Sequence, residues 1–239
     1  LLHHTPGDDA LGRVLGYLVR LTQPLRHHGD LLPGWWTGQD PHATISPGFP
    51  GGHANAGLAH GITGPLALLA IARRRGIVVD GHLEAIERIC AWLDAWRQHD
   101  ESGVWWPRWT TLAEQRTGRI TQPGPPRPSW CYGTPGLARA QQLAGLATGD
   151  TTRQRLAEDA LTRCVTDPHQ LATITDVGLC HGWGGLLQTT WRAAADAPAS
   201  VLGDHLPHLV DQVLRHIQTA PPVEPGLLEG SAGLVLALH

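Results

Sequence analysis

The sequence predicts an all-α fold, an (α/α) toroid built from helical hairpins. Three observations carry this. First, a Gly-x-x-Gly pattern followed by small and aliphatic residues recurs four times: Gly61-Ile62-Thr63-Gly64, Gly133-Thr134-Pro135-Gly136, Gly182-Trp183-Gly184-Gly185 and Gly230-Ser231-Ala232-Gly233. Second, segments between the recurrences carry apolar residues at the three-and-four spacing of a helix with one buried stripe. Third, alternating runs of the kind that strands need are few, and Val, Tyr and Phe are sparse. The first glycines lie 72, 49 and 48 residues apart, so the unit is a hairpin of about 48 residues. The helix after each glycine turn is rich in small residues, which lets helices crowd around an axis. Its partner has one apolar face and suits an outer layer. An open solenoid uses the same kind of unit and is the competing architecture.

The elements follow in chain order. Leu11, Val14, Leu15, Leu18 and Val19 mark a one-faced helix near the start. Residues 33–52, with Trp35-Trp36 and many glycines, are irregular. The first glycine turn opens a helix over 65–73, ending at Arg73-Arg74-Arg75, where positive charge suits the helix dipole. Leu83, Ile86, Ile89, Cys90 and Leu93 mark its outer partner. The first interval is 23 residues longer than the second. The excess lies in 100–128, which holds Trp105-Trp106-Pro107-Arg108-Trp109 and the run Pro123-Gly124-Pro125-Pro126-Arg127-Pro128. No helix tolerates that proline density. Long ordered loops are often functional, and these two irregular stretches are expected to cover one end of the ring. A second inner helix is expected over 137–147, with Leu156, Ala160, Leu161, Cys164 and Val165 on its outer partner. A third is expected over 186–195, with Leu206, Leu209, Val210, Val213, Leu214 and Ile217 opposite, and a fourth over 234–239.

Composition narrows the class. The length of 239 residues suits one large domain, taken as a single toroid over 1–239. Charged residues are 16% and the net charge is −3, against the basic patch that nucleic-acid binding needs. The longest apolar run, 66–72, falls far short of the roughly 20 residues of a membrane-spanning helix. Four cysteines without close pairing do not form a secreted disulfide scaffold, so a reduced cytoplasmic setting is expected. Every basic side chain besides His is Arg, which points to a GC-rich coding sequence, and the absence of Met points to a fragment or processed chain. Cys90 and Cys164 lie in apolar stripes and are read as small buried hydrophobes. His3, His4, His27 and His28 are read as solvated.

The chemistry gathers at the glycine turns. They carry His60-Gly61, Trp130-Cys131-Tyr132-Gly133, Cys180-His181-Gly182 and Glu229-Gly230. If the repeats are equivalent, Cys131, Cys180, His181 and His60 converge near the axis, although up to 121 residues separate them. Two thiolates and an imidazole suit zinc, and three protein ligands leave one tetrahedral position open, as in catalytic sites. Local spacing alone is not a zinc motif, since there is no Cys-x-x-Cys. The alternative is that both cysteines are packing residues. His60 is equally a packing residue or an acid/base.

These motifs resemble the lanthipeptide cyclases of the LanC family. The matching stretches are Gly51-Gly52-His53-Ala54-Asn55-Ala56-Gly57-Leu58-Ala59-His60-Gly61-Ile62-Thr63-Gly64-Pro65, Arg127-Pro128-Ser129-Trp130-Cys131-Tyr132-Gly133-Thr134-Pro135-Gly136 and Leu179-Cys180-His181-Gly182-Trp183-Gly184-Gly185. The tail Leu228-Glu229-Gly230-Ser231-Ala232-Gly233 looks like the family's last repeat. The resemblance implies a toroid of seven hairpins and zinc held by Cys131, Cys180 and His181. It places proton transfer on His60, enolate stabilisation on Arg127, and Tyr132 beside the metal. It also implies an earlier repeat with a Tyr-Asp pair, whose Asp belongs to the active site. This chain starts after that pair, so an N-terminally truncated toroid is expected.

The implied reaction is Michael-type addition of a peptide cysteine to dehydroalanine or dehydrobutyrine, giving lanthionine or methyllanthionine rings. The implied partners are a dehydrated precursor peptide, a dehydratase and a transporter, in a cytoplasmic complex that is peripheral to the membrane. The Trp-rich loops are expected to bind apolar parts of the peptide or to pack. Three readings compete: a LanC-like enzyme that adds glutathione, a prenyltransferase-like zinc–thiolate enzyme, and a non-catalytic peptide-binding scaffold.

Overall fold

The computed structural model describes residues 9–197, 201–219 and 224–239. His3 and His4 lie outside the described residues. Among the described residues there are ten α-helices, and eight of them form two layers, while α4 (Leu112–Thr117) and α7 (Pro168–Leu171) are short connecting helices. The inner row is α2 (Thr63–Arg74), α5 (Thr134–Thr148), α8 (Trp183–Asp196) and α10 (Ser231–Leu238). Each member packs on the next. The outer layer holds α1 (Asp9–Leu21), α3 (His82–Trp96), α6 (Thr151–Thr166) and α9 (Leu206–Thr219). Here α3 packs on α2, α6 on α5 and α9 on α8, so each of the first three glycine turns opens one hairpin.

The layers follow from composition. Helix α5 is buried over most of its surface, from Thr134 to Gly145, and its Ala and Gly residues let it touch α2, α3, α6 and α8 together. Outer helices bury one stripe. Ile86, Ile89, Cys90 and Leu93 do so on α3, and Ala160, Leu161, Cys164 and Val165 on α6. Two expected stripe members, Val14 and Leu214, sit at the stripe margin and are 42% and 44% exposed. One apolar cluster joins Leu15 of α1, Leu66 of α2, Leu137 of α5, Leu161 of α6 and Leu234 of α10. Polar pins tie the layers. Arg153 of α6 grips Asp94 of α3 with both terminal nitrogens, at 3.2 and 2.5 Å. Asp196 of α8 accepts from Arg74 of α2 and Arg139 of α5.

The inner helices start two or three residues earlier than apolar periodicity indicates, inside the glycine turn itself. In each, the first glycine is the N-cap except in α2, where Ile62 takes that place. The glycine at the fourth position of the pattern is then helical, and its missing side chain is a steric requirement. A Cβ on Gly185 would collide with the carbonyl oxygen of Leu179, six residues back, and the other three repeats show the same approach. Gly185→Ala is therefore expected to cost about 3 kcal/mol, among the larger single-residue effects. A denaturant midpoint unchanged from that of the parent would contradict this.

Short strands lie in and beside the two irregular stretches, which composition did not suggest. β1 (Leu25–His27) and β2 (Asp30–Leu32) form a hairpin, turning through His28 and Gly29, both with positive φ, as tight hairpin turns require. β4 (His53–Asn55) pairs antiparallel with β3 (Trp36–Thr37) and β7 (Trp109–Thr111), so the two loops join in one small sheet. β5 (Gln98–Asp100) and β6 (Gly103–Trp105) form another hairpin. Strands of two or three residues are too short to show alternation. A short helix, α4 (Leu112–Thr117), follows β7 with a full capping box between Thr111 and Glu114. Its Thr-x-x-Glu signature was readable in the sequence. Glu114 is buried and accepts from backbone and hydroxyl groups of Thr111 and Thr121. Burial raises its pKa, but those hydrogen bonds outweigh it and hold the carboxyl below its usual range. The Pro-rich run is not helical. No helix among the described residues is long and apolar enough to cross a membrane.

Candidate metal centre

A backbone ladder sets the register of the glycine turns. The Ala59 N–H donates to Cys131 O at 3.3 Å, the Cys131 N–H to Cys180 O at 3.2 Å, and the Cys180 N–H to Leu228 O at 3.0 Å. Each residue precedes its glycine by two positions, so equivalent positions of four repeats lie side by side. The next position in each turn, occupied by His60, Tyr132, His181 and Glu229, forms a second row on the same rim. That repeat register brings together residues far apart in sequence.

The ligand atoms of Cys131, Cys180 and His181 lie within 4.8 Å of one another, one atom from each residue. Cys131 is 8% exposed, while Cys180 and His181 are half-buried and reach the surface. Helices α5 and α8 begin three residues after the two cysteines, so their positive N-terminal ends face toward the turns that carry the sulfurs. Burial first, and then neighbouring Cys131, push the Cys180 thiol up to about 12. The Cys180 thiol in such a place keeps its proton unless a cation offsets the charge. The donor set therefore fits a soft or borderline divalent ion, and two sulfurs with an imidazole nitrogen suit zinc. Among the described residues the group has three donors, one short of a closed tetrahedron.

The remaining candidates surround this group. His60 is exposed at the rim, and its ring lies over Tyr132 with centroids 6.1 Å apart and planes 30° from parallel. The Tyr132 hydroxyl accepts from Asn55 Nδ2 at 3.3 Å, and Asn55 Oδ1 accepts from the Gly57 N–H. Arg127 pairs with Asp176 at 3.8 Å. Asp176 in turn lies 3.5 Å from His181 Nε2, while Glu229 faces His181 Nδ1 at 3.9 Å. Cys90 and Cys164 are buried, far from this chemistry in the outer stripes, and burial pushes the thiol of each up.

Of the tryptophans in the irregular stretches, Trp105 and Trp106 are core residues, 4% and 1% exposed, so they pack. Trp35 and Trp36 instead line a cavity of about 410 Å³ beside His60, with His53, Asn55 and Ile62. Two polar residues of the site escaped sequence reasoning, Asn55 and Asp176. The signal was present, since both lie six residues before the first glycine of their turn, the position of Arg127 in its own turn.

Known proteins resemble the chain as a whole. The profile of a family described as lanthionine synthetase C-like protein matches residues 4–239. The nisin biosynthesis protein NisC of Lactococcus lactis subsp. lactis is 26% identical over 145 residues, 59% of this chain and 33% of that protein. A solved structure of nisin cyclase superposes with a TM-score of 0.78 at 22% identity, covering 97% of this chain and 58% of that chain. This chain thus spans a third of the curated relative's length and under two thirds of the solved one's.

Proposed function

The chain belongs to the lanthionine synthetase C-like family, and from that premise we propose that it is a zinc-dependent cyclase. It joins a cysteine of a dehydrated precursor peptide to dehydroalanine or dehydrobutyrine. The single observation that supports this best is the Cys131–Cys180–His181 group with its three donors at one rim. The step balances without an oxidant or reductant. Sulfur forms a bond to Cβ of the dehydro residue, the double-bond pair moves toward the adjacent carbonyl, the thiol loses its proton, and Cα gains one.

Zinc held by Cys131, Cys180 and His181 would supply a Lewis acid at which a peptide thiol ionises near neutral pH. Buried Cys131 and half-buried Cys180 fix the place where that thiol reacts, so orientation is supplied before reaction. His60, exposed at the rim, transfers the proton to Cα or takes it from the incoming thiol. Tyr132 carries the His60 ring on its face, and Asn55 fixes Tyr132 through its hydroxyl. Arg127 holds charge that develops on the enolate oxygen. The cavity lined by Trp35 and Trp36 takes apolar side chains flanking the reacting cysteine. A dehydratase is the source of the peptide in this reading, and a transporter removes the product.

Mass spectrometry tests the reaction. A peptide with one dehydroalanine and one cysteine is incubated with and without the zinc-loaded chain, then treated with a thiol-alkylating reagent. Faster loss of alkylatable thiol at unchanged peptide mass supports cyclisation. Equal rates with and without the chain count against it.

A further inference from the structure

We propose that Asp176 is a positioning residue that links Arg127 to the histidine of the metal centre. It lies four residues before Cys180, in the loop that backbone hydrogen bonds tie to its own glycine turn. Its backbone carbonyl accepts from the Trp183 N–H at 3.0 Å, and its Oδ1 accepts from the Gly178 N–H at 2.9 Å. The residue is therefore held at two points, one on its backbone and one on its carboxylate, before any ligand arrives. Its other oxygen, Oδ2, is left for the site. It lies 3.5 Å from His181 Nε2 and 3.8 Å from a terminal nitrogen of Arg127.

Stability does not account for this placement. Arg127 and Asp176 are each 37% exposed in their side chains, and half-exposed pairs contribute little to folding. Geometry gives a better reason. A ligating imidazole needs its second nitrogen held by an acceptor, which sets the tautomer and the ring plane. His181 has carboxylates on both sides, Asp176 at Nε2 and Glu229 at Nδ1. Asp176 is the anchored one, because its Oδ1 caps its own loop, whereas the Glu229 side chain is 69% exposed. Asp176 therefore leaves Nδ1 as the nitrogen offered to metal. The same oxygen aims Arg127 at the rim, so one carboxylate sets both the metal ligand and the cation that faces the reaction. Contacts of this length shorten when the ligand is bound. The inference rests on the zinc reading of the centre but not on the chemistry of ring closure.

The test separates loop structure from charge. Asp176→Asn keeps an oxygen to accept from the Gly178 N–H and removes the carboxylate, whereas Asp176→Ala removes both. Zinc affinity is measured by chelator competition on the chain and both variants, and the Co(II)-substituted forms are compared by their d–d absorption bands. The expected result for Asp176→Asn is one zinc per chain, an affinity lower by about 10- to 100-fold, shifted cobalt bands and an unchanged thermal midpoint of the metal-free chain. Zinc affinity within about twofold of the parent, with superimposable cobalt bands, would overturn the inference. Ring-closure rates in Asp176→Asn, Arg127→Gln and the double variant supply a second readout. Non-additive losses support the link, and fully additive ones overturn it. Weakened zinc in Asp176→Asn, alongside a parent that closes no rings, would leave this inference standing and sink the cyclase reading alone.

Discussion

Alanine at Cys131 or at Cys180 is expected to strip the chain of stoichiometric zinc and to stop thioether formation. Magnitudes can be built from two contributions. A peptide thiol with a pKa near 8.5 is only about 3% ionised at pH 7, so losing its activation costs roughly 30-fold. Losing the fixed place of attack costs more, since orientation alone reaches many powers of ten. A combined loss on the order of 10³-fold or greater is expected. The fold should survive, because the ladder through these residues uses their backbone N–H and carbonyl groups and not their sulfurs. Metal analysis and thiol-alkylation mass spectrometry check both halves. One zinc per chain in both variants would remove the cysteines from the ligand set.

The second large effect is expected at His60. His60→Asn should keep one zinc per chain, because His60 stands in the rim row beside Tyr132 and outside the three-donor group. Ring closure should slow by about 10²- to 10⁴-fold, the usual reach of one general acid or base. Equal slowing with loss of zinc would make His60 a structural support of the centre. An unchanged rate would remove it from proton transfer.

Much of this was legible from residues because the fold's strictest requirement is steric. Where Gly185 meets the Leu179 carbonyl, no side chain fits, so the repeat appears in sequence as a Gly-x-x-Gly pattern that recurs four times. That register also carried Cys131, Cys180 and His181 to one rim, since ladder bonds join like positions. The strands were illegible for a physical reason. β4 has three residues and all are buried, so it shows no alternation. Its place is set by β3 and β7, one from each irregular stretch. For Trp105 and Trp106 the sequence left peptide binding and packing both open, and burial in the core decides for packing. The Trp106 indole N–H donates to the Leu93 carbonyl at 3.0 Å. Asp176 was missed because an acid six residues before a glycine has no meaning until the turns are aligned. Once they are, it falls in line with Asn55 and Arg127.

Zinc K-edge X-ray absorption on the zinc-loaded chain examines the centre most directly. Two sulfurs near 2.3 Å and one imidazole nitrogen near 2.0–2.1 Å are expected, with a light exogenous atom completing the shell. A chain that retains no zinc after dialysis, or a shell without sulfur, would contradict a metal centre built on Cys131, Cys180 and His181.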